Sequence, residues 1–234
     1  MTNIAYEEQR FEFPAVAARL RPEDRVVDFG CGSGIFLRLI AGKVRRAAGL
    51  DWNIGTEAPP PGVEMSRASF ADFARSERGR FDVACGFQII EHLPSVNDLL
   101  EPMLDCLDRP ATLYLSVPNR ARFKTGRLEP LDCPPHHLSR WGEQQIQVLA
   151  RRYGLELKEL WREEPDISVA RLLWARDFNA LVSRGIPAMV AEPLGRVLCR
   201  MAVTRRSYQA RAARKEFTQA GVFGHILLAE LRAP

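Results

Sequence analysis

The chain has 234 residues, of which 46% are hydrophobic and 26% charged, and its formal net charge is +4. This is the composition of an ordinary globular protein of about one domain, so it excludes collagen-like, coiled-coil and wholly disordered chains. No uncharged apolar run approaches the ~20 residues of a membrane-spanning helix, and the first residues lack the order of a signal peptide. We therefore expect a cytoplasmic protein. The five cysteines are scattered without a CxxC pair, which indicates neither a disulfide framework nor a zinc ribbon.

Short apolar runs alternate with amphipathic stretches along the first two thirds of the chain. Continuous apolar runs are typical of strands buried on both faces, and strand–helix–strand repeats imply right-handed crossovers between parallel strands. The pattern predicts strands over 25–29, 47–50, 63–65, 81–86, 111–117, 155–161 and 225–232. It predicts helices over 35–41, 70–75, 96–107 and 143–153.

The last third of the chain has a different pattern and a different charge. Residues 166–220 break the alternation and predict a helical insertion before the last strand. Residues 166–234 carry 11 Lys and Arg against 5 Asp and Glu, and seven of these cations fall within 196–215. A solvated helical face is the favoured interpretation. The alternatives are a surface for nucleic acid or an anionic membrane, a lid over an acceptor pocket, and a homodimer contact.

We expect one domain over residues 1–234, built from four consecutive parts. These are an N-terminal helical segment at 1–20, a core at 21–165, the helical insertion at 166–220 and a closing strand at 221–234.

The sharpest local pattern is an apolar strand that runs into a glycine-rich turn and a helix start, VVDFGCGSG at 26–34. Glycines let a ligand approach the main chain, and the N–H groups of a helix N-terminus favour an anionic group. Ile35 stands where a dinucleotide fingerprint has its third glycine, which argues against a nicotinamide or flavin site. Asp51 ends the second strand, where a carboxylate can accept hydrogen bonds from ribose hydroxyls, and Trp52 beside it can lie against a base.

With these residues the chain resembles the class I S-adenosylmethionine-dependent methyltransferases over about residues 20–165 and the closing strand. The resemblance implies an α/β, Rossmann-like, seven-stranded, mostly parallel sheet of order 3-2-1-4-5-7-6, with helices on both faces and S-adenosyl-L-methionine as cofactor. Residues 81–94, which include a Glu-His pair, resemble the family's fourth-strand motif, and 111–119 resemble its fifth strand. PPHHLSRW at 134–141 is similar to a segment of the branch related to quinone-biosynthesis O-methyltransferases.

The resemblance also implies which residues bind the cofactor. The methionine end is expected at the glycine loop, the ribose on Asp51, and the adenine near Trp52 and the pair Ser69 and Phe70, although many relatives carry an acidic residue where this chain has Ser69. Gln88 is expected to orient the methionine end or the acceptor, with a solvated helix-start residue as the alternative. The candidate cofactor-binding residues are Asp28, Gly30, Cys31, Gly32, Gly34, Asp51, Trp52, Ser69, Phe70, Phe87 and Gln88, with Cys31 as a small packing residue rather than a nucleophile.

Candidate catalytic residues must lie at the carboxyl ends of the strands, where open α/β sheets bind ligands. His92 follows the fourth strand, and His136 and His137 follow the fifth. Because histidine titrates near neutral pH, we predict that His136 or His137 is the base or the acceptor-orienting group, with His92 second. The neighbouring residues His136 and His137 are expected to point in different directions, so that only one of them serves. The alternative to a catalytic role is a structural one, in which His92 caps the next helix and one residue of the pair supports the loop. The spacing of Asp132, Cys133 and the histidine pair matches no standard zinc motif, so no metal site is predicted.

The sequence therefore predicts S-adenosylmethionine-dependent methyl transfer to a small-molecule, lipid-linked or sugar-type acceptor, at oxygen, by a His-assisted in-line displacement. Two alternatives stay open: an RNA methyltransferase that uses the basic last third, and a catalytically silent partner subunit that binds the cofactor. A nicotinamide-dependent dehydrogenase is the least favoured because of Ile35.

Overall fold

A computed structural model of the chain describes residues 10–54, 58–59, 61–121, 133–163 and 226–234. The chain divides into two compact units. One comprises Met1–Arg120, Leu128–Trp161 and Ile226–Pro234, and the other comprises Ala121–Arg127 and Arg162–His225. Almost all described residues belong to the first unit. The predicted helical insertion at 166–220 and its basic segment at 196–215 lie outside the described residues and stay predictions.

Seven strands and five α-helices alternate in the part of the chain that the structure describes. The strands are β1 Arg25–Phe29, β2 Arg46–Leu50, β3 Val63–Ser66, β4 Phe81–Phe87, β5 Leu107–Pro118, β6 Glu156–Arg162 and β7 Ile226–Ala233. The helices are α1 Glu12–Ala17, α2 Ile35–Ile40, α3 Phe70–Ser76, α4 Asn97–Cys106 and α5 Glu143–Arg152, with a 3-10 turn at Ile90–His92. None of these described helices is long and apolar enough to span a membrane.

The strands and helices predicted between residues 25 and 161, and the closing strand, are confirmed to within one residue at their ends, apart from the start of β5. Of the N-terminal helical segment predicted at 1–20, the structure describes residues from 10 onward, with α1 at Glu12–Ala17. Sequence patterning placed that start at residue 111, because the exposed residues 108–110 interrupt the apolar run. In the structure Leu107 already pairs with Phe81, and the ladder then shifts register before Val83 pairs with Thr112. The strand therefore continues through three exposed residues at an irregularity in the register. A search for continuous apolar runs does not detect a strand of this kind.

The sheet has the predicted order β3-β2-β1-β4-β5-β7-β6. The strand pairs β1–β2, β2–β3, β1–β4 and β4–β5 are parallel, whereas β7 runs antiparallel to β5. The carboxyl ends of β1, β2, β4 and β5 therefore meet at one edge of the sheet. Open α/β sheets bind their ligands at this edge.

Hydrophobic cores on both faces of the sheet explain the continuous apolar strands. Val26 packs in one core with Phe36, and its neighbour Val27 packs in the other core with Leu99. Side chains alternate between the two faces of a strand, so a strand that is covered on both sides needs apolar residues at every position.

A trio of phenylalanines joins the N-terminal helix to the sheet beneath the site edge. The Phe36 ring meets the Phe87 ring edge-on at 4.9 Å between centroids, and both rings contact Phe13 at 5.6 and 5.2 Å. This contact fixes α1 and α2 against the end of β4.

We predict that Phe36→Ala lowers the free energy of unfolding by about 3–5 kcal/mol, because it removes a ring that is 1% exposed and leaves a cavity. Leu39→Ala on the same helix is the matched control. Leu39 is 37% exposed, so its loss should cost less than about 1 kcal/mol. Urea unfolding of the two variants measures the difference, and equal losses would contradict the assignment of Phe36 to the core.

Candidate active site

The glycine loop connects the end of β1 to α2 and is anchored to the end of β2. Gly30, Gly32 and Gly34 have φ values of +78°, +53° and +78°, in the left-handed region that glycine tolerates best. The N–H groups of Gly30 and Cys31 donate to the Leu50 carbonyl at 2.8 and 3.2 Å. The strand edge therefore holds the turn in a fixed conformation.

Close neighbours account for two of these glycines, whereas the third faces open space. A Cβ on Gly30 would lie 2.9 Å from the Ile89 side chain, and one on Gly34 would lie 3.1 Å from the Met65 side chain. A Cβ on Gly32 would meet no atom within 4 Å. Gly32 is therefore the position of the loop where a ligand can reach the backbone.

Asp51 binds the same loop through its carboxylate. Its Oδ2 accepts a hydrogen bond from the Gly32 N–H at 2.9 Å, and its Oδ1 accepts one from the Asn53 N–H at 2.7 Å. Each oxygen retains a second lone pair, so the carboxylate can still accept ribose hydroxyls. The Trp52 ring beside it is 72% exposed, and its contact with a base stays a prediction.

Asp28 is buried beneath the glycine loop, and its Oδ1 has no hydrogen-bond partner among the described residues. Burial raises the pKa of this carboxyl group well above its usual range; the nearby Asp51 raises it further, and Arg10 lowers it. Burial also raises the pKa of the adjacent Cys31 thiol. A thiol that stays protonated is a poor nucleophile, which supports the packing role predicted for Cys31.

Ser69 and Phe70 both have structural partners at the start of α3. The Ser69 hydroxyl accepts a hydrogen bond from the Asp72 N–H at 3.1 Å and donates one to the Asp72 carboxylate at 2.6 Å, so it is the N-cap of the helix. The half-buried Phe70 ring packs edge-on against Phe29 at 5.3 Å. Contact of either residue with adenine stays a prediction.

Gln88 links the ends of β4 and β5 and has a strained backbone. Its φ of +52° places a non-glycine residue in the left-handed region, a conformation that is concentrated at functional sites. Its side-chain amide donates to the Ser116 hydroxyl at 3.2 Å, and its backbone N–H donates to the Ser116 carbonyl at 3.0 Å. Phe87, one residue earlier, is buried as the β4 member of the phenylalanine trio.

A buried polar network at this edge includes residues that sequence reasoning missed. The Ser116 hydroxyl donates to Glu12 Oε1 at 3.2 Å, and Arg10 donates to the same oxygen at 2.7 and 2.8 Å. Glu12 is fully buried, and its Oε2 has no partner among the described residues. The available signal was an acidic residue between two phenylalanines, Phe11 and Phe13.

Glu91 is a third buried carboxyl group and lies in the 3-10 turn that follows β4. It is 1% exposed, and neither carboxylate oxygen has a hydrogen-bond partner in the described part of the chain. Burial raises its pKa to about 7. Its Oε1 lies 3.9 Å from Nε2 of the next residue, His92. The Glu-His pair of the sequence motif is therefore a side-chain pair as well.

All three candidate catalytic histidines come together in space. The ring centroids of His92 and His136 are 5.0 Å apart, those of His92 and His137 are 4.8 Å apart, and those of His136 and His137 are 4.8 Å apart. The expectation that the neighbouring histidines point different ways was wrong, because their rings stack at an interplanar angle of 23°. A tight turn brings both onto one side: both backbone N–H groups donate to the Cys133 carbonyl.

His92 does not cap the next helix, so that alternative was also wrong. Its Nδ1 lies 2.8 Å from the carbonyl oxygen of His136, which ties the turn after β4 to the histidine loop. The Ser95 hydroxyl instead accepts the Asn97 N–H at the start of α4.

We predict that Asp28→Asn stabilises the fold more at pH 8 than at pH 5. The carboxyl group of the folded protein holds a proton that the unfolded chain releases, so its contribution to stability is greatest below the ordinary Asp pKa. That contribution is lost as the pH rises through the folded-state pKa. Asparagine stays neutral at both pH values, so the variant does not lose stability in this way as the pH rises. Thermal denaturation of both proteins at the two pH values tests it, and an equal effect at both would contradict a buried, proton-holding Asp28.

We also predict that Gly32→Ala weakens the binding of S-adenosylmethionine by more than about tenfold, because the added methyl group occupies the open space over the loop. Gly42→Ala is the matched control. Gly42 also has a positive φ, +72°, and a Cβ there also meets no atom within 4 Å, so both variants bear the same backbone strain of about 1–2 kcal/mol. Calorimetric titration separates the two effects; equal losses of affinity would mean that strain, and not ligand contact, is responsible.

The geometry described above agrees with the similarity of the chain to known proteins. Residues 6–160 match a family model described as a methyltransferase domain. A probable S-adenosylmethionine-dependent methyltransferase of Mycolicibacterium smegmatis is 30% identical over 162 residues, which is 67% of this chain and 61% of the relative. One of Mycobacterium tuberculosis is 29% identical over 139 residues, 58% of this chain and 49% of the relative. The chain thus spans about half to three fifths of the length of these curated relatives.

Solved structures share the fold. A SAM-dependent methyltransferase from Archaeoglobus fulgidus aligns over 100% of both chains with a TM-score of 0.61 and 16% identity. Phosphoethanolamine N-methyltransferase 2 of Haemonchus contortus, in complex with S-adenosyl-L-methionine, aligns over 95% of this chain and 52% of its own with a TM-score of 0.59 and 14% identity. With the family match over residues 6–160, the sheet order and the glycine loop at the end of β1, the chain belongs to the class I S-adenosylmethionine-dependent methyltransferases.

Proposed function

We propose that this protein transfers a methyl group from S-adenosyl-L-methionine to an oxygen atom of a small-molecule, lipid-linked or sugar-type acceptor. One of the clustered imidazoles accepts the proton that the acceptor loses. The observation that carries the proposal is the meeting of three imidazoles at the carboxyl ends of β4 and β5, on the sheet edge that also bears the glycine loop.

The residues at that edge fit the cofactor. The open backbone at Gly32 leaves room for the amino-acid end of the cofactor, and the Asp51 carboxylate retains lone pairs for a ribose. When bound, the cofactor supplies an electrophilic methyl group that already carries a good leaving group.

The chain's own contribution is to position the acceptor and to manage its proton. Correct alignment of two reactants can lower a barrier by roughly 7–11 kcal/mol in favourable cases. A neutral hydroxyl becomes a protonated ether when it is methylated, so a base within hydrogen-bond reach assists by taking that proton. His136 is exposed and His137 and His92 are half-buried, so the cluster is accessible to such an acceptor.

The acceptor class is tested by isotope transfer. Protein incubated with methyl-labelled S-adenosylmethionine should label a component of a small-molecule and lipid extract of cells. Labelling of a cellular RNA pool instead would favour the RNA methyltransferase. Binding of the cofactor without labelling of either pool would favour a silent partner subunit.

The role of the imidazoles is tested by separate substitution. We expect His136→Ala or His137→Ala to lower turnover by about 100-fold, within the usual range for loss of a general base, while cofactor affinity changes little. The variant His92→Ala tests structural support of the loop separately from proton transfer. The contact that it removes, between Nδ1 of His92 and the loop, is a structural one. Should neither change in the pair lower turnover more than about tenfold, proton acceptance by these residues is not the mechanism.

A further inference from the structure

We propose that His92, His136 and His137 form a binding site for a divalent transition-metal ion of the zinc and cobalt class. Each residue offers one ring nitrogen, and the three nitrogens lie within 4.8 Å of one another. Imidazole is a preferred ligand of these ions. The proposal goes beyond the proposed methyl transfer, because it concerns what the cluster binds and not which acceptor loses a proton.

The spacing of the nitrogens is close to that of a tetrahedral site. Ligands at 2.0–2.1 Å from a zinc ion are about 3.4 Å from each other. The widest pair here must therefore approach by at most about 1.4 Å. His136 is exposed and the other two imidazoles are half-buried, so small side-chain rotations can supply this movement without repacking the core.

The contacts of His92 prepare it to be a ligand. A carbonyl oxygen only accepts hydrogen bonds, so the 2.8 Å contact with the His136 carbonyl assigns the proton of neutral His92 to Nδ1. The lone pair is then on Nε2. Metal-binding histidines nearly always donate their second ring N–H to a carbonyl, a carboxylate or water in this way, which fixes the tautomer and the ring orientation.

Backbone hydrogen bonds hold the two contributing segments together. Beside the cluster, the N–H groups of Leu138 and Ser139 donate to the Glu91 carbonyl at 2.7 and 3.3 Å. On the other side the Cys133 carbonyl closes the turn that carries the histidine pair. The backbones of the two segments are thus held together before a ligand arrives, which reduces the cost of binding.

The donor set indicates the class of metal. Three nitrogen donors suit zinc, cobalt and nickel ions, whereas magnesium and calcium prefer oxygen donors. Three protein ligands also leave a fourth position open, as in sites where a water or a substrate binds the ion. Because a lone pair that binds a metal cannot take a proton, an occupied site should suppress proton acceptance by the imidazoles.

The direct test is a titration of metal-free, untagged full-length protein with Co²⁺. We expect binding of one ion per chain by calorimetry, with visible absorption of the kind given by a tetrahedral site, and no saturable binding of Mg²⁺. His92→Ala, His136→Ala and His137→Ala should each lower Co²⁺ affinity by more than about tenfold. Cys133→Ser is the matched control: it removes a half-buried thiol beside the pair and should leave affinity unchanged.

Retained binding of S-adenosylhomocysteine shows that each variant is folded. His136 is exposed, so the variant His136→Ala keeps the test valid if His92→Ala fails to fold. Absence of stoichiometric Co²⁺ binding by the unaltered protein, affinity unaffected by all the histidine changes, or loss of binding in Cys133→Ser would each overturn the proposal.

A turnover assay separates this proposal from the proposed function. Zn²⁺ should inhibit methyl transfer by the unaltered protein, and a chelator should restore it. If Co²⁺ binds as expected while Zn²⁺ leaves turnover unchanged, the metal site stands and proton acceptance by the imidazoles fails.

Discussion

The site depends on the attachment of the glycine loop to the end of β2. The Leu50 carbonyl and the Asp51 carboxylate together accept the N–H groups of Gly30, Cys31 and Gly32. These bonds fix a turn whose three glycines have left-handed backbone angles, and the space beside Gly32 is open. A ligand then meets a loop that is already ordered, so binding does not have to supply the free energy of ordering it.

The buried carboxyl groups of Glu12, Asp28 and Glu91 lower the stability of the fold. Glu12 has Arg10 and Ser116 as partners on one oxygen, and Glu12, Asp28 and Glu91 each retain at least one unpartnered oxygen among the described residues. Burial of such groups disfavours the folded state, and natural proteins tolerate this mainly at functional sites.

The second half of the site joins two segments that are far apart in sequence. His92 follows β4, and the histidine pair lies 44 residues further on, after β5. Parallel strands bring both to the same edge, and backbone bonds to Glu91 then fix their distance. The proton transfer and the metal binding that we propose would compete for the same imidazole lone pairs.

The sequence alone predicted the strands and helices between residues 25 and 161 and the glycine loop, because continuous apolar strands and a glycine turn followed by an acidic strand end are local patterns. The sheet order was implied by the resemblance to the methyltransferase family. Position after a strand also identified His92, His136 and His137 individually. Only the tertiary structure decided that the three imidazoles touch, since their grouping depends on strand register and on a turn closed by Cys133. It also decided the burial of Glu12 and Glu91, because the burial of a polar residue depends on distant parts of the chain and leaves little trace in its neighbours.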